Sequence, residues 1–392
     1  MPKITFMGAG STVFVRHVIG DCMCEESLRD SHVALYDINA ERLKESEFIL
    51  SRMNEKFNDN RLKITTHLGV RSRKTALRNA DFVINAIQVG GYEPSTVIDF
   101  EIPKKYGLRQ TIADTLGIGG IFRALRTIPV MLDFARDIEE VAPDAWFLNY
   151  TNPMAILTGA MLLGTGVKTV GLCHSVQVCV SSLLKTLDME HSDERLTNIR
   201  SKIAGINHMA WLLEISENGK DLYPELINDW NIPLDEYPRR CINQIKRWKD
   251  EYAKLQQDTE SLELKKSHEY GSGIMRAIWT DTPFRIGGNV LNNGFITNLP
   301  SNAVVEVPCL VDGSGIHGTY IGELPTQCAA MNMTNINVQL LTVEAALTLK
   351  KDHIYQAAML DPHTAAELSI DDIVKMCDEL IMAHGNMLPK YI

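Results

Sequence analysis

Along its first half the chain alternates short apolar runs with longer stretches of helical periodicity. Lys3 to Met7 is such a run and stops at Gly8-Ala9-Gly10-Ser11, after which a helical stretch covers about Thr12 to Gly20. A second run, His32 to Tyr36, ends in Asp37. The helix after it carries Leu43, Phe48, Ile49 and Met53 on one stripe, with Glu41, Lys44, Glu45 and Glu47 elsewhere. Phe82 to Ala86, Ala145 to Asn149 and Thr169 to Leu172 repeat the buried-strand pattern, each separated by helical sequence. Strands that alternate with helices in this way predict a parallel sheet with right-handed crossovers.

Beyond Ile199 the pattern loosens. Lys202 to His208 and Ala210 to Ile215 read as strands, and Tyr237 to Gln256 and Val338 to Leu349 as helices. Ile286-Gly287-Gly288-Asn289 and Val311-Asp312-Gly313-Ser314-Gly315 read as turns. The predicted class is α/β: a Rossmann-like doubly wound parallel sheet over residues 1–195, then an α+β catalytic domain over 196–392. That is the architecture of lactate and malate dehydrogenases.

Composition narrows the function classes. A formal charge of -10 leaves no basic face to neutralise phosphates, which argues against nucleic acid. The chain enters a strand at once, without a signal-peptide pattern, and no apolar run reaches the roughly 18 residues of a membrane span. Eight cysteines over 392 residues make no disulfide framework. They read as reduced thiols in a cytoplasmic protein.

Gly8-x-Gly10-Ser11 sits between strand and helix, where amide N–H groups and the helix dipole suit a pyrophosphate. Val13 stands where a full dinucleotide fingerprint has its third glycine. Asp37, at the end of the second strand, is placed to take the adenosine ribose hydroxyls. That favours NAD over its 2′-phosphorylated form.

Other groups permit two readings each. Cys173 is a small buried hydrophobe by default, yet it lies at the carboxyl end of a strand, where open α/β sheets bind ligands. A thiolate there and the imidazole of His208 can share one transition metal. Asn152-Pro153 is a turn or a substrate contact. Asp114-Thr115-x-Gly117-x-Gly119-Gly120 reads as a long glycine-rich loop, either a lid or a linker. Arg123 and Arg126 either clamp anions or lie on a solvated helix face. The apolar stretch Leu324 to Met331 is compatible with a homodimer or homotetramer.

Taken together, these pieces resemble glycoside hydrolase family 4, the NAD- and metal-dependent glycosidases, essentially end to end. The resemblance rests on Ile4-Thr5-Phe6-x-Gly8-Ala9-Gly10-Ser11-Thr12, Gly90-Gly91-Tyr92-Glu93-Pro94, Gln110-Thr111-Ile112-Ala113-Asp114-Thr115-Leu116-Gly117 and Asn149-Tyr150-Thr151-Asn152-Pro153-Met154. Gly171-Leu172-Cys173-His174-Ser175-Val176-Gln177, Ala204-Gly205-Ile206-Asn207-His208-Met209 and Asp361-Pro362-His363-Thr364-Ala365 complete it. The Cys-His-Ser form resembles members that act on small unphosphorylated α-galactosides, with α-galacturonides and α-glucosides as neighbouring specificities.

The resemblance implies that Cys173 and His208 hold Mn²⁺ while His174 protonates the leaving oxygen. Asn152 and Asp114 would contact substrate. Gly8, Gly10, Ser11, Asp37, Asn85, Gln88 and Asn149 would form the NAD crevice. The implied chemistry is oxidation at C3, loss of the C2 proton, elimination, water addition and re-reduction, outside the two-carboxylate scheme of most glycosidases. There is one departure. Members continue for a few dozen residues between stretches like Leu222-Tyr223-Pro224-Glu225-Leu226 and Asn231 to Arg240, which only Ile227 to Trp230 joins here. The resemblance places the C2 base in that missing segment, so neither Tyr237 nor Tyr270 is assigned to it. Either the sequence omits the segment or the protein lacks it; intact flanks favour omission.

Overall fold

The computed structural model describes residues 1–186, 189, 192–222, 235–257 and 262–392. The junction at residues 226–230 lies outside them. In the first half the elements run β1 (Lys3–Met7), α1 (Thr12–Cys24), β2 (His32–Asp37), α2 (Ala40–Asn58), β3 (Lys63–Leu68), α3 (Arg73–Leu77), β4 (Phe82–Asn85), α4 (Val97–Lys105), α5 (Gly117–Val141), β5 (Trp146–Asn149), α6 (Met154–Gly164), β6 (Lys168–Gly171) and α7 (His174–Thr186). There follow α8 (Asp193–Asn198), β7 (Ile199–Ile206), β8 (Met209–Glu217), β9 (Lys220–Asp221), α9 (Glu236–Gln257), α10 (Tyr270–Thr280), β10 (Phe284–Leu291), β11 (Val304–Asp312) and β12 (Gly315–Gly318). The chain closes with α11 (Thr326–Thr348), α12 (Lys351–Leu360), α13 (Pro362–Glu367) and α14 (Ile370–His384).

The expected doubly wound sheet forms. Its parallel part has the order β3-β2-β1-β4-β5-β6, which reverses direction between β1 and β4. Alternation explains why helices cover both faces: Phe82 and Ile84 enter one core while Val83 enters the other. Residues of α1, α2 and α10 fill the first core, and those of α5, α6, α12 and α14 the second. The sheet continues through β10-β11-β7-β8-β9, with β12 on β11, and here every pairing is antiparallel. No helix among the described residues is long and apolar enough to cross a membrane.

Three expectations are corrected. Ile286 to Asn289 is the interior of β10, not a turn. A Cβ on Gly287 would meet Val176 Cγ1 at 3.0 Å, and one on Gly288 would meet Cys309 Sγ at 2.8 Å, so close packing explains the glycines. The glycine-rich stretch after Asp114 is neither lid nor linker from Gly117 on, because it starts the 25-residue α5. Gln110 Oε1 accepts from the Gly119 amide at 3.0 Å and satisfies that first-turn donor. Arg123 and Arg126 are buried rather than solvated. Both are committed internally: Arg126 pairs with Asp99 (2.6 Å), while Arg123 donates to Asn152 O (3.0 Å) and Tyr237 Oη (2.6 Å).

Candidate active site

The carboxyl ends of the parallel strands open onto a cleft of about 2250 Å³, which holds more than one small ligand. Its wall runs from Gly8, Gly10, Ser11 and Asp37 past Gln88 and Asp114 to Asn152, Cys173, His174 and His208. The first four define one end and the last four the other.

At the first end backbone does most of the shaping. Gly8 turns with φ +85°, and a Cβ there would lie 2.7 Å from Ala86 O. No side chain fits, so the turn packs directly against the backbone that follows β4. Asp37 Oδ2 accepts from the Gly10 amide at 2.6 Å and Oδ1 from the Asn39 amide at 2.8 Å, which fixes its carboxylate at the rim. These features fit a dinucleotide. Asn85 and Asn149 lie beneath the wall rather than on it: both are fully buried, and Asn85 Nδ2 donates to Asn149 Oδ1 at 2.9 Å. They support the crevice floor by holding adjacent strand ends together.

The second end is built from side chains. Cys173 follows β6 and precedes α7, while His208 closes the two-residue Asn207-His208 turn between β7 and β8 with a left-handed φ of 60°. Thirty-five residues apart in sequence, Cys173 Sγ and His208 Nε2 meet at 3.5 Å. Burial pushes the Cys173 thiol up, but the His208 hydrogen bond and charge, with Ser175, outweigh it and hold the thiol well below its usual range. Ser175 Oγ donates to Sγ at 3.3 Å. Burial lowers His208, and the Cys173 contact and charge raise it overall. A thiol held low beside an imidazole is a donor pair that a divalent transition metal can share. Among the described residues no group of three or more His, Cys, Asp or Glu side chains forms a metal cluster. A metal held by this pair has positions left for further donors, such as substrate oxygens and water.

His174 opens α7 beside Cys173. Its Nε2 lies 2.7 Å from Glu269 Oε1, and that hydrogen bond, the larger effect, raises His174 against the lowering from burial. Asn152 Nδ2 donates to Asp114 Oδ2 at 3.3 Å, leaving the buried Asn152 Oδ1 without a partner. Asp114 and Asn152 thus form one polar patch of the cleft that Cys173 also lines. Tyr237, pushed up to about 12 by burial against the opposing Arg123 charge, lines the same cleft. Glu269 and the buried Glu306 are additions from the structure. Glu306 had a sequence cue, a lone carboxylate inside the apolar run Val304 to Pro308. Glu269 had none.

Comparison with known proteins identifies the family. The model described as family 4 glycosyl hydrolase matches residues 3–189, and that of the family's C-terminal domain matches 203–236 and 230–364. The chain belongs to glycosyl hydrolase family 4. It is similar to the alpha-galactosidase of Bacillus subtilis (strain 168), 53% identical with 100% of both chains covered. That alignment spans 444 positions against 392 residues, so about fifty have no counterpart here. The split C-terminal match puts a break near residue 230. In fold the chain resembles the 6-phospho-beta glucosidase from Thermotoga maritima, solved with manganese, NAD+ and glucose-6-phosphate (TM-score 0.83, 22% identity, 100% of both chains). It also resembles, more distantly, malate dehydrogenase from Plasmodium falciparum in complex with NADH (TM-score 0.56, 16% identity, 90% of this chain and 100% of that one).

Proposed function

We propose that this chain is an NAD- and Mn²⁺-dependent α-galactosidase for small unphosphorylated α-galactosides. The observation that carries the reading is the meeting of Cys173 and His208 at 3.5 Å in a cleft whose other end is the Gly8–Asp37 turn. The likeness to the Bacillus subtilis alpha-galactosidase supports the galactoside. When bound, these groups supply reversible hydride acceptance at C3 and polarisation of sugar oxygens, which acidifies the C2 proton.

The protein's residues divide the remaining work. Gly8, Gly10 and Ser11 cradle the pyrophosphate and Asp37 the ribose, while Cys173 and His208 hold the metal. Asn152 and Asp114 orient sugar hydroxyls. His174, steadied by Glu269, gives its proton to the leaving oxygen. The cationic side chains Arg109 and Arg240 at the sugar end are ion-paired, with Asp235 and Glu236 respectively. A sugar without phosphate suits that end.

Hydrolysis of 4-nitrophenyl α-galactoside with NAD, Mn²⁺ and thiol tests the reading. Equal or better turnover of the α-glucoside or α-galacturonide overturns the galactoside assignment. Net NADH accumulation in proportion to product overturns cofactor cycling and favours a simple dehydrogenase. The fifty missing alignment positions favour a second reading, a catalytically silent binder. NAD binding with no turnover of any of the three substrates supports that one.

A further inference from the structure

Between the strand ends that carry Cys173 and His208, a row of buried paired positions crosses four strands, with polar side chains at its centre. Gly171 of β6 stands opposite Asn289 of β10, Asn289 opposite Glu306 of β11, and Glu306 opposite Gly205 of β7. Those registers give β6 and β10 one paired position, and β11 and β7 one. Cys173 lies two residues beyond one end of the row and His208 three residues beyond the other. Side chains continue the link. Asn289 Nδ2 donates to Gly171 O at 3.3 Å, and Asn207 Nδ2 donates to Glu306 Oε2 at 3.3 Å. Asn207, Asn289 and Glu306 are each at most 1% exposed.

We propose that Glu306 is a positioning residue: with Asn289 and Asn207 it forms a buried bar that sets the separation of Cys173 and His208, and hence their affinity for a divalent metal. This rests on the metal reading above. Three acceptors in the bar have no partner: Asn207 Oδ1, Asn289 Oδ1 and Glu306 Oε1. Glu306 links both neighbours of the bar, standing opposite Asn289 in the β10–β11 register and accepting from Asn207 Nδ2. From the far side, Asn332 Nδ2 donates to Met209 O at 2.8 Å and Oδ1 accepts from Trp211 Nε1 at 3.1 Å, so the His208 turn is gripped on both flanks. Metal-ligand orientation is commonly set by such outer partners.

The test uses Co²⁺ as a spectroscopic probe of the whole protein. Wild type must show a thiolate-to-cobalt band that Cys173→Ser abolishes; without it the metal reading itself fails, whatever Glu306 does. Given that band, Glu306→Leu is expected to weaken Co²⁺ by roughly 10–100-fold and shift the band, with NAD affinity unchanged. Glu306→Gln, which keeps an acceptor oxygen for Asn207 and brings N–H donors for the unpartnered amide oxygens, is expected to stay within about threefold of wild type. A merely structural loss would lower NAD affinity in parallel. Wild-type cobalt affinity in Glu306→Leu overturns the proposal, as does equal weakening in Glu306→Gln. If Glu306→Leu does not fold, Asn207→Ala takes its place: a loss of about tenfold or more is expected, and unchanged affinity overturns the proposal.

Discussion

The two ends of the cleft are made in different ways. At the Gly8 end the parallel strands are paired over several consecutive residues each, and the recognition groups are amides and one aspartate already tied to them. At the Cys173 end, β6 joins β10 and β11 joins β7 through single paired positions, although β10 and β11 pair along their length, and the side chains of Cys173, His208, Asn207, Asn289 and Glu306 do the placing. A site made from main chain is fixed once the fold forms. A site made from side chains depends on each of them, so the two ends should respond to substitution independently.

The largest break is expected from Cys173→Ser. A hydroxyl replaces the soft ligand, and Mn²⁺-dependent hydrolysis should fall by more than about 100-fold, beyond the effect of losing an outer partner. NAD affinity, measured separately, should hold. Retained activity with the same metal requirement would remove Cys173 from the site. A matching loss of NAD affinity would show that the two ends are not independent.

Asp37→Ala breaks the other end. It removes one or two charge-assisted hydrogen bonds to the ribose, worth about 1.5–3 kcal/mol each in NAD binding. It also frees the Gly10 and Asn39 amides, which Asp37 now holds at 2.6 and 2.8 Å. Cobalt affinity at Cys173 should not move. NAD titration checks the first point, and little change would mean the ribose is held elsewhere.

The same contrast explains what could be read from sequence. Runs such as Phe82 to Ile84 announce buried strands because both faces are covered and every position is apolar. Gly8, Gly10 and Asp37 are legible because their spacing follows from one strand–turn–helix unit. By comparison β3, with Lys63, Thr65, Thr66 and His67, presents no apolar run, and its residues are exposed or only half-buried. The Gly287-Gly288 pair looks like a turn because glycine signals both sharp bends and close approach; only the positions of Val176 and Cys309 decide between them. Cys173 and His208 are visible as residue types, but their meeting depends on the antiparallel order β6-β10-β11-β7, which local periodicity does not encode. Glu269 reaches His174 across 95 residues for the same reason.

Glu269→Gln sharpens the metal end by separating proton transfer from metal binding. The amide keeps the shape and loses the charge that steadies His174, so kcat for an alkyl α-galactoside should drop about tenfold, part of the roughly 10²–10⁴ a positioned acid contributes. The 4-nitrophenyl substrate should lose less, since nitrophenolate leaves without a proton. Equal losses for both substrates would show that His174 is not the acid.

The smallest effect is expected at the rim. Arg240 Nε lies 2.7 Å from Glu236 Oε1, and Glu236 also takes Arg239 at 2.6 Å. An exposed cation committed to a neighbouring carboxylate contributes little to a neutral sugar. Arg240→Gln should leave the KM for an α-galactoside within about twofold, in line with surface ion pairs. An anionic sugar asks something different of the same residue: a carboxylate or phosphate would draw the guanidinium into a forked contact, and its loss would raise KM for that substrate alone. Parallel KM measurements on galactoside and galacturonide therefore decide between a neutral and an anionic pocket. A rise of about tenfold for the galacturonide, with that substrate also turned over faster by wild type, would move the assignment to the uronide.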